Sequence, residues 1–344
     1  MSYLRVEGLS KYYDGVSAVE DITFEANKGE FVALLGPSGC GKSTTLMMLA
    51  GLEDPSRGKV YFADQDMTHT APGKRGLSMV FQSYALFPHL NVRENILFGL
   101  KARKVPTNEQ TNRLENVLEL VDLKDHIDKK PGQLSGGQCQ RVALARAIVS
   151  QAPICLMDEP LSNLDARLRN EMRTEIRALQ KKLDLTVIYV THDQIEAMSM
   201  ADRVILLNNG RIEQNDTPDR LYNFPESAFS AGFIGHPPMN LIQQRETLLG
   251  IRPEDISLSL SSSQSVDGLS TTVIDCDYHG ANTLIAVDFR GQTLRFIQQG
   301  HHTHRFGTPL TITWDREREH HFCLNTGRRL TNHSLSHSII EGFS

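Results

Sequence analysis

Three short runs of the chain are apolar almost without interruption: Phe31-Val32-Ala33-Leu34-Leu35, Ile154-Cys155-Leu156-Met157 and the β-branched Thr186-Val187-Ile188-Tyr189-Val190. Strands covered on both faces read this way, so these runs predict a buried parallel sheet. Residues 76–81 read as a further strand of the same kind. Between the runs the period lengthens. Leu168, Met172, Ile176, Leu179 and Leu183 mark one face of an amphipathic helix. Leu114, Val117, Leu118 and Val121 do the same inside a mostly helical stretch from 92 to about 127, which Pro131-Gly132 closes. Residues 44–50 are good helix formers stopped by Gly51. Ahead of the first run, residues 3–35 read as short strands, with turns at Asp14-Gly15 and Lys28-Gly29-Glu30. Strands interleaved with helices predict an α/β fold.

From about Gly235 the pattern changes. His236-Pro237-Pro238 reads as a linker and residues 258–268 are Ser-rich. Short strands follow at 271–275, 284–289 and 293–297. In Leu310-Thr311-Ile312-Thr313-Trp314 apolar and polar residues alternate, as in a half-buried strand. Several short strands with turns predict a small all-β barrel. The 344 residues therefore divide into domains at 1–235 and 236–344, with a helical subdomain at about 87–152. Residues 331–344 have no assignable pattern.

Lys plus Arg is 36 and Asp plus Glu is 41, a formal charge of −5, which gives no general case for nucleic-acid binding. Five cysteines, an odd number with no C-x-x-C pair, fit a reduced cytosol better than a disulfide framework. The first residues do not form a signal peptide, and no run of about eighteen apolar residues exists. Work at a membrane would need other chains to bring the protein there.

The chemistry clusters after the predicted strands. Gly36-Pro37-Ser38-Gly39-Cys40-Gly41-Lys42-Ser43-Thr44 fits the phosphate-cradling loop G-x-x-x-x-G-K-[ST], between a strand and a helix as that motif requires. Lys42 suits the terminal phosphates and Ser43 a Mg²⁺ ion. Gln82 follows the strand at 76–81, Asp158 and Glu159 follow the second apolar run, and His192 follows the third. Beside a phosphate loop, Asp158 suits a magnesium shell and Glu159 a proton acceptor for water. Ligands of open parallel sheets bind outside the carboxyl ends of the strands, so these groups are expected in one crevice. Leu134-Ser135-Gly136-Gly137-Gln138 opens a short helix, with Ser135 and Gln138 spaced as a capping box. It reads either as a cap alone or, with glycines in its first turn, as a second anion contact. Of Tyr12 and Tyr13, one could stack on a purine or both could pack in a strand. His301, His302, His304, His320 and His321 form two clusters that read either as a metal site or, since no Cys or carboxylate joins them at ligand spacing, as solvated loops.

Taken together, the phosphate loop, Gln82, Leu134 to Gln138, Ile154 to Glu159, Ser162-Asn163-Leu164-Asp165 and His192 resemble, in content and order, the ATP-binding subunits of ABC transporters. Pro160-Leu161-Ser162-Asn163-Leu164-Asp165-Ala166, residues 235–240 and Gly250-Ile251-Arg252-Pro253-Glu254 are similar to importers of the maltose and polyamine type, whose C-terminal regulatory (TOBE) domain is an OB-like barrel. Gly280-Ala281-Asn282-Thr283-Leu284 and Asn325-Thr326-Gly327-Arg328-Arg329 look most like the sn-glycerol-3-phosphate and sugar branch. The resemblance implies a phosphate-loop ATPase domain and a nucleotide-sandwich homodimer hydrolysing ATP with Mg²⁺. Tyr13 would stack on adenine, and Gly36 to Thr44 would hold the phosphates. Ser43 and Asp158 would serve the metal, and Gln82 would sense Mg²⁺ and water. Glu159 would be the general base and His192 would hold the γ-phosphate. Ser135, Gly136 and Gly137, with Gln138, would meet the nucleotide of the opposite subunit, and Asp165 would lie in the loop between the two sites. Partners implied are two transmembrane permease subunits, a solute-binding protein and a cytosolic regulator at the C-terminal domain, with the chain peripheral on the cytoplasmic face of the inner (plasma) membrane. The solute expected is a sugar or sn-glycerol-3-phosphate; polyamine, iron or another small solute is the alternative, and a soluble ATPase acting on nucleic acid a more distant one. Cys139 departs from the pattern, which usually has Arg or Lys there.

Overall fold

The structure, a computed structural model, describes residues 2–259 and 268–330. The tail at 331–344 and most of the Ser-rich stretch lie outside the described residues. The chain forms two compact units, Met1–Pro218 and Asp219–Ser344.

In the first unit the elements run β1 (Ser2–Tyr13), β2 (Val16–Asn27), β3 (Phe31–Leu35), α1 (Lys42–Ala50), β4 (Arg57–Phe62), β5 (Gln65–Asp66), β6 (Leu77–Val80), α2 (Val92–Ala102), α3 (Thr107–Leu120), α4 (Gly136–Ile148), β7 (Ile154–Asp158), α5 (Ala166–Leu183), β8 (Thr186–Thr191), α6 (Gln194–Met200), β9 (Arg203–Asn208) and β10 (Arg211–Asp216). They build an antiparallel sheet, β2-β1-β4-β5, and a six-stranded sheet, β10-β9-β3-β8-β7-β6, parallel except for β10. The helical stretch expected from 92 to 127 is two helices, interrupted before Pro106, which cannot donate a backbone bond.

The uninterrupted apolar runs have a direct cause. Phe31, Cys155, Met157, Val187 and Tyr189 enter one core with α2, α3, α4 and α5. Their alternates, Val32, Leu34, Ile154, Leu156, Ile188 and Val190, enter a second core with α1, β1, β2 and β4. Successive side chains of a strand point to opposite faces, so a sheet with a core on each face allows no polar position along its central strands. Polar groups are admitted where the strands end.

The second unit carries α7 (Pro218–Asn223, whose first residue closes the first unit), α8 (Ala228–Phe233), β11 (Asn240–Gln244), β12 (Thr247–Ile251), β13 (Ser257–Leu258), β14 (Leu269–Tyr278), β15 (Asn282–Phe289), β16 (Gln292–Gln299), β17 (Pro309–Thr313) and β18 (His320–Cys323). Its strands form two antiparallel sheets, β11-β12-β18 and β13-β17-β14-β15-β16. Ile242, Leu249 and Ile251 of the first sheet share one core with Val273, Ile285, Val287, Phe296 and Ile312 of the second. Residues 219–235, expected in the first domain, pack here: Ala231 is buried with Met239 and Phe322, and Arg252 donates to the carbonyls of Ala231 and Ile234.

Candidate active site

β3 runs straight into the phosphate loop. Gly36 has φ +154°, and a Cβ there would lie 2.3 Å from the Leu207 carbonyl oxygen. Gly41, the residue before α1, has φ +96°, and a Cβ there would lie 2.6 Å from the Ala18 oxygen. Both positions therefore exclude side chains on conformation and on space. α1 has no acidic residue in its first turn and no side-chain cap. Its first N–H groups and its positive dipole end are thus offered to the loop. Lys42 is buried, and its Nζ donates to Gly36 O and Pro37 O, both at 2.8 Å. Among the described residues no carboxylate pairs with it. A buried ammonium held by backbone carbonyls and no carboxylate is matched to an incoming anion. Cys40 Sγ lies 3.8 Å from the same Nζ, and burial pushes that thiol up.

Ser43 Oγ donates to Asp158 Oδ1 at 3.0 Å. Asp158 ends β7 on the face that Ile154 and Leu156 turn toward α1. Burial raises its pKa, the Ser43 bond and the Lys42 charge oppose that shift, and neighbouring Glu159 adds to it.

Glu159 sits at φ +41°, left-handed for a residue with a Cβ. Such a conformation costs about 1–3 kcal/mol and persists where surroundings over-determine it. Here its N–H donates to Val190 O at 3.0 Å, its carbonyl accepts from Ser162 Oγ at 2.9 Å, and its Oε2 lies 3.0 Å from His192 Nδ1. Ser162 Oγ also accepts from Gln82 Nε2 at 3.3 Å, and Asn163 Nδ2 donates to Gln82 O at 2.9 Å. Gln82, Glu159 and His192, from three strand ends, are thereby joined through Ser162.

The Gln82 loop is held from its other end as well. Tyr84 and Ala85 are consecutive left-handed residues, at φ +61° and +47°. Arg146 of α4 donates Nη2 to Tyr84 O at 2.8 Å and Nη1 to Ala85 O at 2.6 Å. Ser162, Asn163 and Arg146 are the supporting residues that sequence reasoning passed over as site groups. The first two lie in the quoted Ser-Asn-Leu-Asp segment, but their bonds to Gln82 span 80 and 81 positions.

The remaining candidates stand apart within one chain. Ser135 Oγ accepts from Gln138 N at 3.3 Å and Gln138 Oε1 accepts from Ser135 N at 2.9 Å, a complete capping box. A Cβ on Gly137 would meet Leu168 Cδ2 at 2.8 Å, which explains that glycine by packing, whereas Gly136 is exposed. Among the described residues no hydrogen bond joins Ser135 to Gln138 with the phosphate loop. Cys139 Sγ lies 3.6 Å from Pro131 O and burial pushes its thiol up, so it packs rather than ionises. Tyr13 ends β1 with its ring 46% exposed and Lys11 Nζ 5.1 Å from the ring centre.

A phosphate loop on a buried lysine, a Ser–Asp pair beneath it and a carboxylate–imidazole pair beside it define a phosphate-loop ATPase. Residues 19–162 match the ABC transporter family, and residues 249–322 match the TOBE domain family. The chain is 40% identical to the trehalose/maltose import ATP-binding protein MalK of Thermococcus litoralis, over 96% of this chain and all of that one. It is 42% identical to the sn-glycerol-3-phosphate import ATP-binding protein UgpC of Brucella abortus, again over 96% of this chain and all of that one. Among solved structures, cbiO1 of Clostridium perfringens, part of an ABC transporter complex, aligns with TM-score 0.60 at 30% identity, covering 64% of this chain and 90% of that one. A dimeric bacterial ABC transporter cassette aligns with TM-score 0.56 at 30% identity, over 62% and 98%. The chain belongs to the ABC transporter family, as one of its ATP-hydrolysing subunits with a C-terminal TOBE domain.

Proposed function

We propose that this chain powers import of a sugar or sn-glycerol-3-phosphate by hydrolysing ATP in a homodimer that holds each nucleotide between one subunit's phosphate loop and the other's Ser135 helix. The observation that carries the reading is the pair of contacts at the strand ends, Ser43 with Asp158 and Glu159 with His192. The relatives named for trehalose/maltose and sn-glycerol-3-phosphate import support the solute class.

The loop amides and Lys42 hold the triphosphate, and the exposed Tyr13 ring takes the adenine. A water attacks the γ-phosphorus, its proton passes to the Glu159 carboxylate, and the bond to the β-phosphate oxygen breaks to leave ADP and phosphate. His192, bonded to Glu159, orients that carboxylate and holds the γ-phosphate. The Ser43 hydroxyl and Asp158 carboxylate, 3.0 Å apart, are hard oxygen donors that fit Mg²⁺, with the Gln82 side chain as a third. The ion supplies charge neutralisation on the phosphates. Among the described residues no hydrogen bond ties Ser135, Gly136, Gly137 or the Gln138 cap to the phosphate loop of their own chain, as suits residues kept for a neighbour's nucleotide. ATP therefore favours the closed pair, and loss of the γ-phosphate releases it.

The partner surface lies beside Gln82. A groove of about 460 Å³ is lined by Leu52, Phe81, Ala85, Phe87 and Phe98, with Leu52 and Phe98 about half exposed. The Phe87 and Phe98 rings lie 4.3 Å apart. No described helix is long and apolar enough to cross a membrane. A permease subunit seated in this groove would place the chain on the cytoplasmic face of the membrane and read the Gln82 loop directly.

The test is ATP-driven association. Glu159→Gln is expected to bind ATP and accumulate as a dimer by sedimentation, and Phe98→Asp to keep basal hydrolysis while losing capture by its permease. A Glu159→Gln protein that binds ATP and stays monomeric would sink the sandwich.

A further inference from the structure

Ahead of the Ser135 helix lies a histidine that the hydrolysis scheme above does not use. His126 ends a single 3-10 turn, Lys124–His126. Its backbone is held on both sides, since its N–H donates to Leu123 O and its carbonyl accepts from Lys129 N, both at 3.0 Å. Its ring reaches the Gln138 side chain, with His126 Nε2 lying 2.9 Å from Gln138 Nε2.

The other end of the Gln138 amide decides which nitrogen donates. That end faces the Ser135 backbone N–H at 2.9 Å. A backbone N–H can only donate, so the amide oxygen lies toward Ser135 and the NH2 group toward His126. His126 Nε2 must then accept, which requires a neutral imidazole with its proton on Nδ1. That Nδ1 is buried without a partner. An apolar side chain would fill the same place without stranding an N–H. The imidazole is therefore accounted for by what its Nε2 does to Gln138, not by packing.

Protonation reverses the match. An imidazolium donates from both nitrogens, and its Nε2–H would face the NH2 group of Gln138. The carboxamide relieves this by turning over, which brings its oxygen to the imidazolium and its NH2 group against the Ser135 N–H. A charge-assisted bond is about twice as strong as a neutral one, so the imidazolium takes the oxygen. The Ser135 N–H loses its acceptor, and one of the two bonds of the capping box opens. The charged and titratable groups on the elements beside the ring are Lys124 and Asp125 on its own turn, Asp128 and Lys129 just beyond it, Cys139 and Arg141 on α4, and Arg93 at the start of α2, whose N–H donates to Ile127 O. Lys124 is paired with Glu119, Arg141 with Asp122 and Glu175, and burial keeps Cys139 a thiol. Among the described residues none of these groups is hydrogen-bonded or ion-paired to the His126 ring.

We propose that His126 is a positioning residue for ATP hydrolysis: neutral, it holds the Gln138 amide in the orientation that completes the Ser135 cap; protonated, it turns that amide and slackens the residues that meet the neighbour's nucleotide. The inference rests on the reading of the Ser135 helix as the second half of the nucleotide site.

The experiment is steady-state hydrolysis by the full-length protein at saturating ATP and Mg²⁺, between about pH 5.5 and 8, the window in which imidazoles change charge. His126→Gln offers Gln138 an acceptor that does not titrate. It is expected to match the wild type at the alkaline end and to exceed it about fivefold at the acid end, the worth of one net hydrogen bond. His126→Lys presents a permanent donor and is expected to run about fivefold below the wild type at the alkaline end and to meet it at the acid end. Glu159 and His192 titrate in all three proteins, so the ratio of the profiles isolates His126. A purely structural role would lower thermal stability and leave that ratio flat. A second measurement needs no variant: in the wild type followed by NMR, the Gln138 side-chain amide signals should move in step with the His126 ring as the pH falls. Flat ratios, full alkaline turnover in His126→Lys, or Gln138 signals that stay fixed while His126 titrates would each overturn the proposal. ATP-driven dimerisation of Glu159→Gln at the alkaline end is read separately, so flat ratios beside a normal dimer would remove His126 from its role and leave the sandwich standing.

Discussion

The two units carry their chemistry in different places because their strands are covered differently. In the first, β3, β7 and β8 are buried on both faces, and their polar groups begin where the strands stop: Gly36 after β3, Asp158 and Glu159 at the end of β7, His192 after β8. In the second, β15 alternates between buried and less buried positions along its length. The less buried positions hold Asn282, Leu284, Ala286 and Asp288, polar and apolar alike, and no single place stands out in the sequence. A doubly covered sheet concentrates function at its rim; a singly covered one distributes it.

The strongest way to break this comparison is at the rim. Glu159→Gln removes the proton acceptor while its amide oxygen still faces His192. Turnover should fall by about 10²–10⁴, with ATP affinity by equilibrium titration unchanged. Near-normal turnover would move the general base elsewhere and empty the rim of its central role. The matching change in the second unit is Phe296→Ala. That ring is 1% exposed at the centre of the shared β core. Its loss should cost about 3–5 kcal/mol, seen by calorimetry as an earlier transition for the β unit, while ATP turnover below that transition stays at the wild-type rate. A fall in turnover in proportion would show that the units do not stand independently.

What could be read from the chain follows the same division. The phosphate loop is legible because eight consecutive residues, Gly36 to Ser43, determine it, and its flanking strand and helix are adjacent in sequence. The capping box of Ser135 and Gln138 is legible for the same reason. The left-handed Glu159, Tyr84 and Ala85 were not, since nothing in a Glu, Tyr or Ala announces positive φ; the conformation is imposed by Val190, Ser162 and Arg146 from elsewhere in the chain. Strands β14 to β17 show in their alternation, but β11, β12 and β18 are short, and two of them border motifs that drew attention as signatures rather than as strands. The change of pattern at Gly235 puts residues 219–235 with the first domain, whereas Ala231 is buried against Met239 and Phe322 of the second unit.

A smaller effect sharpens how the rim is held. Arg146 fixes two consecutive strained residues behind Gln82 from the same helix that Ser135 begins. Each charge-assisted bond is worth about 1.5–3 kcal/mol, and a lysine cannot reproduce the forked geometry. Arg146→Lys is therefore expected to lower turnover by about tenfold, since about 1.4 kcal/mol is a factor of ten, with ATP affinity unchanged. If Arg146 only braces the fold, the variant will lose thermal stability and keep its turnover per folded molecule. Measuring both on one preparation separates positioning from bracing.

The smallest expected effect on folding carries the sharpest question, because Ser135 is claimed by two roles. As a cap it accepts the Gln138 N–H, and a good cap is worth about 1 kcal/mol. As a contact it would meet the neighbour's triphosphate. Ser135→Asp separates the two. Aspartate caps a helix as well as serine and complements the helix dipole, so thermal unfolding of the nucleotide-free protein should move by no more than about 0.5 kcal/mol. The same carboxylate facing a triphosphate repels it, so ATP-driven dimerisation by sedimentation should disappear while each monomer still binds ATP through Lys42 and its loop. Because no hydrogen bond joins Ser135 to the phosphate loop among the described residues, a loss confined to the dimer points to an interface. If Ser135→Asp dimerises with ATP as the parent does, the serine is a cap and nothing more, and the second half of the nucleotide site must be sought elsewhere.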